Sequence, residues 1–504
     1  MTVAARERVL ALSSWHHDWS GLRVAVLGLG VTGFSVADTL VELGARVRVI
    51  SGKPDPDRER LLDVIGAERI TLEGDAAQLE DLRAFDPELV VVSPGYRPDH
   101  PLTTWAADRG TVVWGDIELG WRLRDKTDRI ADWICITGTN GKTTTTQLTA
   151  HMLVAGGLRA TPAGNIGTPI LDAVRDPEGY DAIVVELSSF QLDRLGEISP
   201  YASVCLNIAD DHLDWHGSAE AYRAAKAKVY AGTQVACVYN RADRATEQMV
   251  EEADVVEGAR AISFGLDVPP PSGFGVVEGL LVDRGFHAER RDNAYELVSL
   301  DELRNRGLGA PHIVQDILAA AALARARGVE PSEIAAAVLA FTPDPHRSEL
   351  VATIEGVTWI DDSKATNAHA ANASLQALDR VVWMVGGLLK GVDIDDLVRT
   401  HARRLRGAVV IGVERAEVLA ALERHAPGVP VTEVAHGDAG TVMDAAVSAA
   451  RRIAGPGDTV LLSPAAASMD QFSDYADRGR RFQHAVRGLG GGEADDQSAD
   501  GDIG

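Results

Sequence analysis

WICITGTNGKTT, Trp133–Thr144, decides the fold. Its first half is an apolar, β-branched run that predicts a buried strand, and its Gly-Lys-Thr end opens a threonine-rich helix. Strand, glycine turn and helix in that order form a phosphate cradle. Backbone amides of Gly138, Thr139, Asn140 and Gly141 surround the phosphates, Lys142 brings positive charge to the β/γ groups, and Thr143, followed by Thr144, offers a hydroxyl to magnesium. Ile136 stands where the first glycine of the usual longer interval would be. An accidental Gly-Lys-Thr on a surface turn is the weaker reading, because the flanking elements are the right ones.

Outward from this stretch the chain keeps alternating strands and helices. Upstream, RVAVLGLGVTGFSVADTLVELGARVRVI from Arg23 predicts strand, glycine turn, helix and strand, a Rossmann-like half, and VVVSP near Ser93 adds a strand. Gly28-Leu-Gly30-Val-Thr-Gly33 opens the helix, but Ile50 is followed by Ser51-Gly52-Lys53 rather than by the acidic residue that holds a dinucleotide ribose. NAD is disfavoured, and a different diphosphate fits better. Downstream of a hinge at Thr342-Pro343-Asp344-Pro345, the strand-like GVTWIDD, RVVWMVGG, GAVVIG and DTVLLSP alternate with Ala-rich helices. The expectation is an α/β chain of parallel sheets: a Rossmann-like block at 1–126, a central P-loop ATPase-type block at 127–342, a Rossmann-like block at 343–487, and a disordered acidic tail at 488–504.

The composition agrees with three domains: 504 residues at roughly 150 per domain. Lys plus Arg total 49 against 74 Asp plus Glu, a net charge of −25, the wrong sign for a nucleic-acid binder. No run reaches the ~20 apolar residues of a membrane span, and the N-terminus lacks a signal-type apolar segment. Cys135, Cys205 and Cys237 lie in strand-like runs without a CxxC pair, so packed, reduced thiols and a cytoplasmic location are expected.

Further candidates gather beyond the phosphate loop. Glu186 ends the run AIVVE, at a strand's C-terminal edge where α/β sheets place their ligands; a helix cap is the bland alternative. Asp210-Asp211-His212-Leu-Asp214 clusters hard ligands after another strand, and a metal beside ATP is the economical reading. The helix predicted over Ser218–Ala231 carries Tyr222, Lys226 and Lys228, which spacing alone leaves without a role.

In this order TGTNGKTT, GNIG (Gly164–Gly167), ELSSFQL (Glu186–Leu192), ADDHLD and YRAAK resemble the Mur ligase family, which uses ATP to add amino acids to the UDP-linked peptidoglycan precursor. DSKATN (Asp362–Asn367) and LSPAAASMDQF (Leu462–Phe472) are similar to its D-glutamate-adding branch. The resemblance implies attack of the L-alanine carboxylate of UDP-N-acetylmuramoyl-L-alanine on the γ-phosphate, then attack of the D-glutamate amine on the acyl phosphate. It implies a first magnesium at Thr143 and Glu186, a second at His212, a CO2-derived carbamate on Lys226 as a metal ligand, and Asn165 near the reacting groups. It places His312, Arg347 and Asp362 at the nucleotide, and Lys364, Thr366, Lys390, Ser468 and Tyr475 at D-glutamate. Val31, Thr32, Ser51, Lys53 and Ser93 fall at the UDP end. A monomer, and closure of the C-terminal block on substrate, are expected. Ile313 and Asp316 replace the two asparagines of the family's His-Asn-x-x-Asn, and apolar Ile313 cannot replace an amide's paired donor and acceptor. A sibling ligase for another amino acid, a folylpolyglutamate synthase, or a regulatory homologue with weakened catalysis are the alternatives; the DSKATN and SPAAAS pair, the N-terminal glycine-rich block, and the intact Lys142, Glu186, His212 and Lys226 stand against them respectively.

Overall fold

The computed structural model describes residues 2–342, 344–435 and 437–490. The described residues build three sheets, each flanked by helices. The first has the order Glu68–Thr71, Arg46–Ser51, Arg23–Leu27, Leu89–Val92, Val112–Gly115, all parallel. The chain reverses direction across this sheet between Arg23–Leu27 and Leu89–Val92. That switch point leaves a crevice at the strands' C-terminal ends, and Gly28 and Ser93 follow those two strands.

The second sheet runs Tyr295–Ser299, Leu280–Asp283, Gly273–Val277, Arg260–Phe264, Ala236–Asn240, Ala202–Cys205, Asp132–Thr137, Ala182–Glu186, Ala160–Gly164. Its buried middle is parallel, whereas Gly273–Ser299 forms an antiparallel meander at one edge, against the expectation of parallel pairing throughout. The short turn at Glu278-Gly279 leaves no room for a crossover helix, and that forces the antiparallel hairpin. Ala182–Glu186 is buried along its whole length, as a parallel strand covered on both faces must be. The Ala-rich helix Pro311–Ala326 packs on this sheet with nearly every side chain from Ile313 onward buried, and Arg325 is held by Asp283 (Nε–Oδ2 2.9 Å).

The third sheet has the order Glu349–Ile354, Val357–Asp361, Thr459–Leu462, Val381–Val385, Leu405–Val410, Val431–Glu433, parallel except for the first pair. The four strands anticipated from the sequence are its centre; the two edge strands carry mixed, half-exposed residues and left no clear pattern. The last helix, Tyr475–Gly490, passes the expected end of ordered structure at Arg487; the rest of the expected acidic tail, residues 491–504, lies outside the described residues.

By compactness the chain forms two units. One comprises residues up to Ile208 with Glu220–Phe341, the other Ala209–Ala219 with the chain from Thr342. The first two sheets share a unit because a single apolar cluster runs through both, joining Trp19, Val26 and Trp114 to Trp133, Ile170 and Val185. Polar links reinforce the seam: Ser35 Oγ donates to Asp172 (2.5 Å), and Gln191 Nε2 to Asp116 (3.0 Å). The N-terminal segment forms a helix, Val3–Ala11, tied down where Arg122 donates to the carbonyls of Leu10 (3.2 Å) and Leu12 (2.9 Å).

Candidate active site

In the first unit, Asp132–Thr137 delivers the loop Gly138–Gly141 to the helix Lys142–Ala155. Gly138 (φ 152°) and Gly141 (φ 81°) hold backbone conformations that a side chain would strain, and a Cβ on Gly141 would collide with the Asp316 carboxylate. The helix has no side-chain cap hydrogen bond, and a helix N-terminus of this kind is where backbone N–H groups meet phosphates. Asn207 fixes the loop: its carbonyl accepts from Thr139 N (2.9 Å), its amide oxygen accepts from Asn140 N (2.9 Å), and its amide nitrogen donates to Asn140 O (3.2 Å). Asn207 carried no signal of its own in the sequence beyond standing at a strand's end.

Two lysines converge on this loop. Lys142 Nζ donates to the carbonyls of Gly138 and Thr139 (both 2.9 Å), and Lys226 Nζ donates to the same Gly138 carbonyl (2.8 Å) and to Thr137 Oγ1 (3.2 Å). Lys226 sits on the helix Ala219–Ala227, which ends earlier than its sequence suggested and continues as a 3-10 turn, Lys228–Tyr230. Only 2% of Lys226 is exposed, and its ammonium lies 5.0 Å from the Tyr222 ring centroid. Tyr222 in turn shares a hydrogen bond with Thr139 Oγ1 (3.0 Å). Burying an ammonium against carbonyls and a ring concentrates positive charge where a triphosphate would lie.

Glu186 is buried at the end of its strand. One oxygen accepts from Asn165 Nδ2 (2.9 Å); the other, Oε2, is buried without a hydrogen-bond partner. Asn165 is fixed in return by its own N–H to the Glu186 carbonyl (2.9 Å). A buried, half-satisfied carboxylate oxygen is costly unless something positive meets it. With the Thr143 hydroxyl in the first helical turn, it fits a hard divalent cation.

At the crevice of the first sheet, Val31 and Thr32 start the helix Val31–Glu42, Ser51 ends the strand Arg46–Ser51 with Lys53 just beyond it, and Ser93 follows Leu89–Val92. Ser51 Oγ is occupied by Lys53 O (3.2 Å) and Thr71 Oγ1 (3.3 Å), whereas Ser93 Oγ is buried without a partner. A Cβ on Gly28 (φ 99°) would come within 2.8 Å of Ser93 Oγ. Asp116, not anticipated from the sequence, starts the helix Asp116–Arg122; burial pushes its carboxyl up to about 6 despite the Gln191 hydrogen bond.

Within the second unit, His212 (φ 53°) lies in the short segment that carries Asp211. Asp211 accepts from Asn367 Nδ2 (3.3 Å), and Lys390 Nζ lies 3.5 Å from its other oxygen. Asp362 is buried, accepting from Ser348 N (3.1 Å), Ser374 Oγ (2.5 Å) and Ser463 Oγ (3.0 Å); burial pushes it up to about 6. Lys364 Nζ stands 3.9 Å from the Tyr475 ring centroid, and Thr366 N donates to Lys364 O (2.8 Å). Arg478, which sequence reasoning passed over, ties the two loops of this region together. It donates to Ser363 Oγ (3.0 Å), Ser363 O (2.8 Å) and Ala466 O (3.2 Å), and Ser468 is buried two residues further on. His312 stands in the first turn of Pro311–Ala326 in the first unit, while Ile313 joins the apolar core there.

The candidates thus group by unit: Lys142, Thr143, Asn165, Glu186, Lys226 and His312 in the first, together with Val31, Thr32, Ser51, Lys53 and Ser93 at the C-terminal ends of the first sheet's strands, and His212, Arg347, Asp362, Lys364, Thr366, Lys390, Ser468 and Tyr475 in the second. Among the described residues no helix is long and apolar enough to cross a membrane. The three cysteines are buried and unpaired, with burial pushing the Cys205 thiol up to about 12.

Three families match consecutive parts of the chain: the Mur ligase MurD-like N-terminal domain over residues 22–115, the Mur ligase middle domain over 136–273, and the Mur ligase glutamate ligase domain over 346–466. A UDP-N-acetylmuramoylalanine--D-glutamate ligase of Leifsonia xyli subsp. xyli is 63% identical, with 98% of each chain covered. Proteins of the same name from Streptomyces avermitilis (51%; 94% of this chain, 99% of the relative) and Mycolicibacterium smegmatis (44%; 93% and 97%) are also similar. Among solved structures, a pseudomurein peptide ligase type C from Methanothermus fervidus (TM-score 0.56, 16% identity, 93% and 100% covered) and the UDP-N-acetylmuramate-alanine ligase MurC from Thermotoga maritima (0.55, 18%, 93% and 100%) share the fold. With three domain matches in order and relatives alike over nearly its whole length, this chain belongs to the Mur ligase family as a MurD-like member.

Proposed function

We propose that the chain is the ATP-dependent ligase that joins D-glutamate to UDP-N-acetylmuramoyl-L-alanine in peptidoglycan precursor synthesis, releasing ADP and phosphate. One observation carries this reading: Lys142 donates into the Gly138–Gly141 loop at a helix N-terminus, with Lys226 buried on the same Gly138 carbonyl, and a carboxylate oxygen of Glu186, in the same unit, is left without a partner. A carboxylate is a poor acylating agent, and its encounter with the γ-phosphate brings two anions together. A site built to screen that repulsion lowers the barrier by electrostatics and alignment.

Lys142 and the loop amides hold the β/γ-phosphates, Thr143 and Glu186 hold magnesium, and Asn165 keeps the Glu186 carboxylate aimed. Magnesium, when bound, neutralises charge on the transferring phosphoryl group. The L-alanine carboxylate attacks that group, ADP departs, and the D-glutamate amine displaces phosphate from the acyl phosphate. Lys226 loses one proton to become a neutral amine and a second as that amine adds CO2, so that its ammonium becomes a carbamate that supplies an oxygen ligand, and His212 serves a second magnesium. The UDP end lies along Val31, Thr32, Ser51, Lys53 and Ser93. Arg347 and Asp362 meet the nucleotide with His312; Lys364, Thr366, Lys390, Ser468 and Tyr475 take up D-glutamate, a dianion suited to lysines and hydroxyls. The domains divide at 126, 342 and 487, and the protein works as a cytoplasmic monomer.

Purified protein incubated with ATP, magnesium, UDP-N-acetylmuramoyl-L-alanine and a panel of amino acids tests this. Phosphate release that requires D-glutamate is expected. Dependence on another amino acid would make the chain a sibling ligase, and no release with any of them would make it a regulatory homologue.

A further inference from the structure

The turn that carries Arg347 is built in an unusual way. His346 (φ 68°) and Ser348 (φ 46°) flank it in left-handed conformations that non-glycine residues seldom hold, so other contacts must fix them. Three do so, two of them from the neighbouring loop: Lys364 N donates to His346 O (3.2 Å), Ser348 N to Asp362 Oδ1 (3.1 Å), and, within the turn's own segment, His346 N to Glu349 Oε2 (2.9 Å). The His346 ring is buried, with Nδ1 2.6 Å from an oxygen of Asp361, which is itself fully buried.

His346, Glu349 and Asp361 bring their ligand atoms within 4.8 Å of one another, a geometry that a metal ion could also use. The C-terminal helix decides against it. Gln483 Nε2 donates to Asp361 Oδ2 (3.0 Å) and to Glu349 Oε2 (2.9 Å), and Arg487 donates to Gln483 Oε1 (3.1 Å), which fixes which end of the amide faces the carboxylates. Both amide protons are therefore directed at the oxygens a cation would need. Gly479, Gln483 and Arg487 recur every fourth residue on one helix face. A Cβ at Gly479 would overlap the His346 ring, 2.6 Å from its Cγ. Glycine there lets the ring lie against the helix backbone, one turn before Gln483. The Asp361 hydrogen bond raises the imidazole's pKa, with Glu349 adding to this and Arg480 opposing it. Arg347, at the apex of the turn, keeps its Nε buried without a partner.

We propose that Gln483 is a positioning residue for Arg347: bridging Asp361 and Glu349 from the C-terminal helix, it locks the His346–Ser348 turn and so fixes the orientation in which the Arg347 guanidinium is offered to the nucleotide. This rests on the reading of Arg347 as a nucleotide contact. Gln483 itself touches no substrate. Its loss acts through the turn and weakens nucleotide capture more than D-glutamate capture, because the D-glutamate loop has a second anchor in Arg478.

The test is steady-state kinetics of the full-length chain with each substrate varied in turn. Gln483→Leu, which keeps the volume and removes the donors, is expected to raise KM for ATP about tenfold, as for one charge-assisted hydrogen bond lost, with the other two KM values moving less than about twofold. Gln483→Lys, whose ammonium can donate to both carboxylates, should bring KM for ATP back to within about threefold of the parent. Should the Leu variant not fold, Arg487→Ala releases the amide and is expected to give the same selectivity at about threefold. Arg347→Ala separates the two layers: if it leaves KM for ATP unchanged, the nucleotide reading of Arg347 fails. If it raises that KM while Gln483→Leu does not, or if Gln483→Leu raises all three KM values alike, the positioning role fails. Tight Zn2+ binding by the parent protein that Glu349→Gln abolishes would make the cluster a metal site and overturn the proposal.

Discussion

The chain contains two strand–glycine loop–helix units, and they are built in different ways. At Gly138–Lys142 the loop gathers lysines: Lys142 and Lys226 both donate to the Gly138 carbonyl, and a Glu186 oxygen in the same unit is buried without a partner. At Gly28–Gly33 the helix starts with Val31 and Thr32, the exposed Lys53 is the cation of the adjoining loop, and the fit depends on missing side chains, since a Cβ on Gly28 would meet Ser93 and one on Gly33 would strike the Gly28 carbonyl. A loop that must stabilise charge moving in a transition state needs fixed cations, whereas a loop that only holds a diphosphate needs close backbone approach. The net charge of −25 says nothing about either, because it is a sum over a whole surface.

This contrast can be broken by substitution. Lys142→Ala should have the largest effect, lowering kcat by roughly 10³-fold with a smaller change in KM for the UDP substrate, because its interaction strengthens as charge develops on the phosphate. A comparable rise in the UDP-substrate KM would mean that the two loops are not separate in function.

The seam between the two loops carries the next effect. Asp116 has its carboxyl raised to about 6 by burial, against 3.8 unperturbed. Its contribution to stability is therefore fully present below pH 3.8 and lost as pH rises to about 6. Asp116→Asn, which keeps an acceptor for Gln191 and cannot ionise, should be neutral near pH 4 and stabilising by on the order of 2 kcal/mol near pH 7.5. Thermal unfolding of the variant and parent at both pH values checks this, and an equal shift at the two would show that ionisation is not the cause.

Smaller effects belong to the neutral loop. Gly28→Ala forces a Cβ at φ 99° to within 2.8 Å of Ser93 Oγ and should raise KM for the UDP substrate about tenfold while leaving KM for ATP unchanged. Ser93→Ala removes one buried hydroxyl and should raise the same KM about threefold. If either variant moved KM for ATP instead, the assignment of the loops would be reversed.

What the sequence revealed follows the same line. Lys142 was legible because it sits in a short string whose local geometry already defines its chemistry, whereas Glu186 kept a helix-cap alternative and Lys226 stood out only through the family resemblance. Asn207, Gln191 with Asp116, Arg478 and Gln483 were not, because their partners are 67, 75, 115 and 122 residues away and only the fold joins them. The parallel centre of each sheet was plain from continuous apolar runs. The edge strands at Gly273–Ser299, Glu349–Ile354 and Val431–Glu433 were not, since half-exposed residues blur the alternation. Ile313, which stands where the family has an asparagine, joins the apolar core beneath the Ala-rich helix, a packing role that the motif alone did not show.

The central claim is that the cationic loop transfers a phosphoryl group to a carboxylate rather than to water. UDP-N-acetylmuramoyl-L-alanine labelled with 18O in its alanine carboxylate tests it most directly, in a reaction with ATP, magnesium and D-glutamate. The account predicts one 18O atom in each phosphate released, because that oxygen leaves with the phosphate when the amine displaces it. Unlabelled phosphate, released at the same rate with or without D-glutamate, would contradict it.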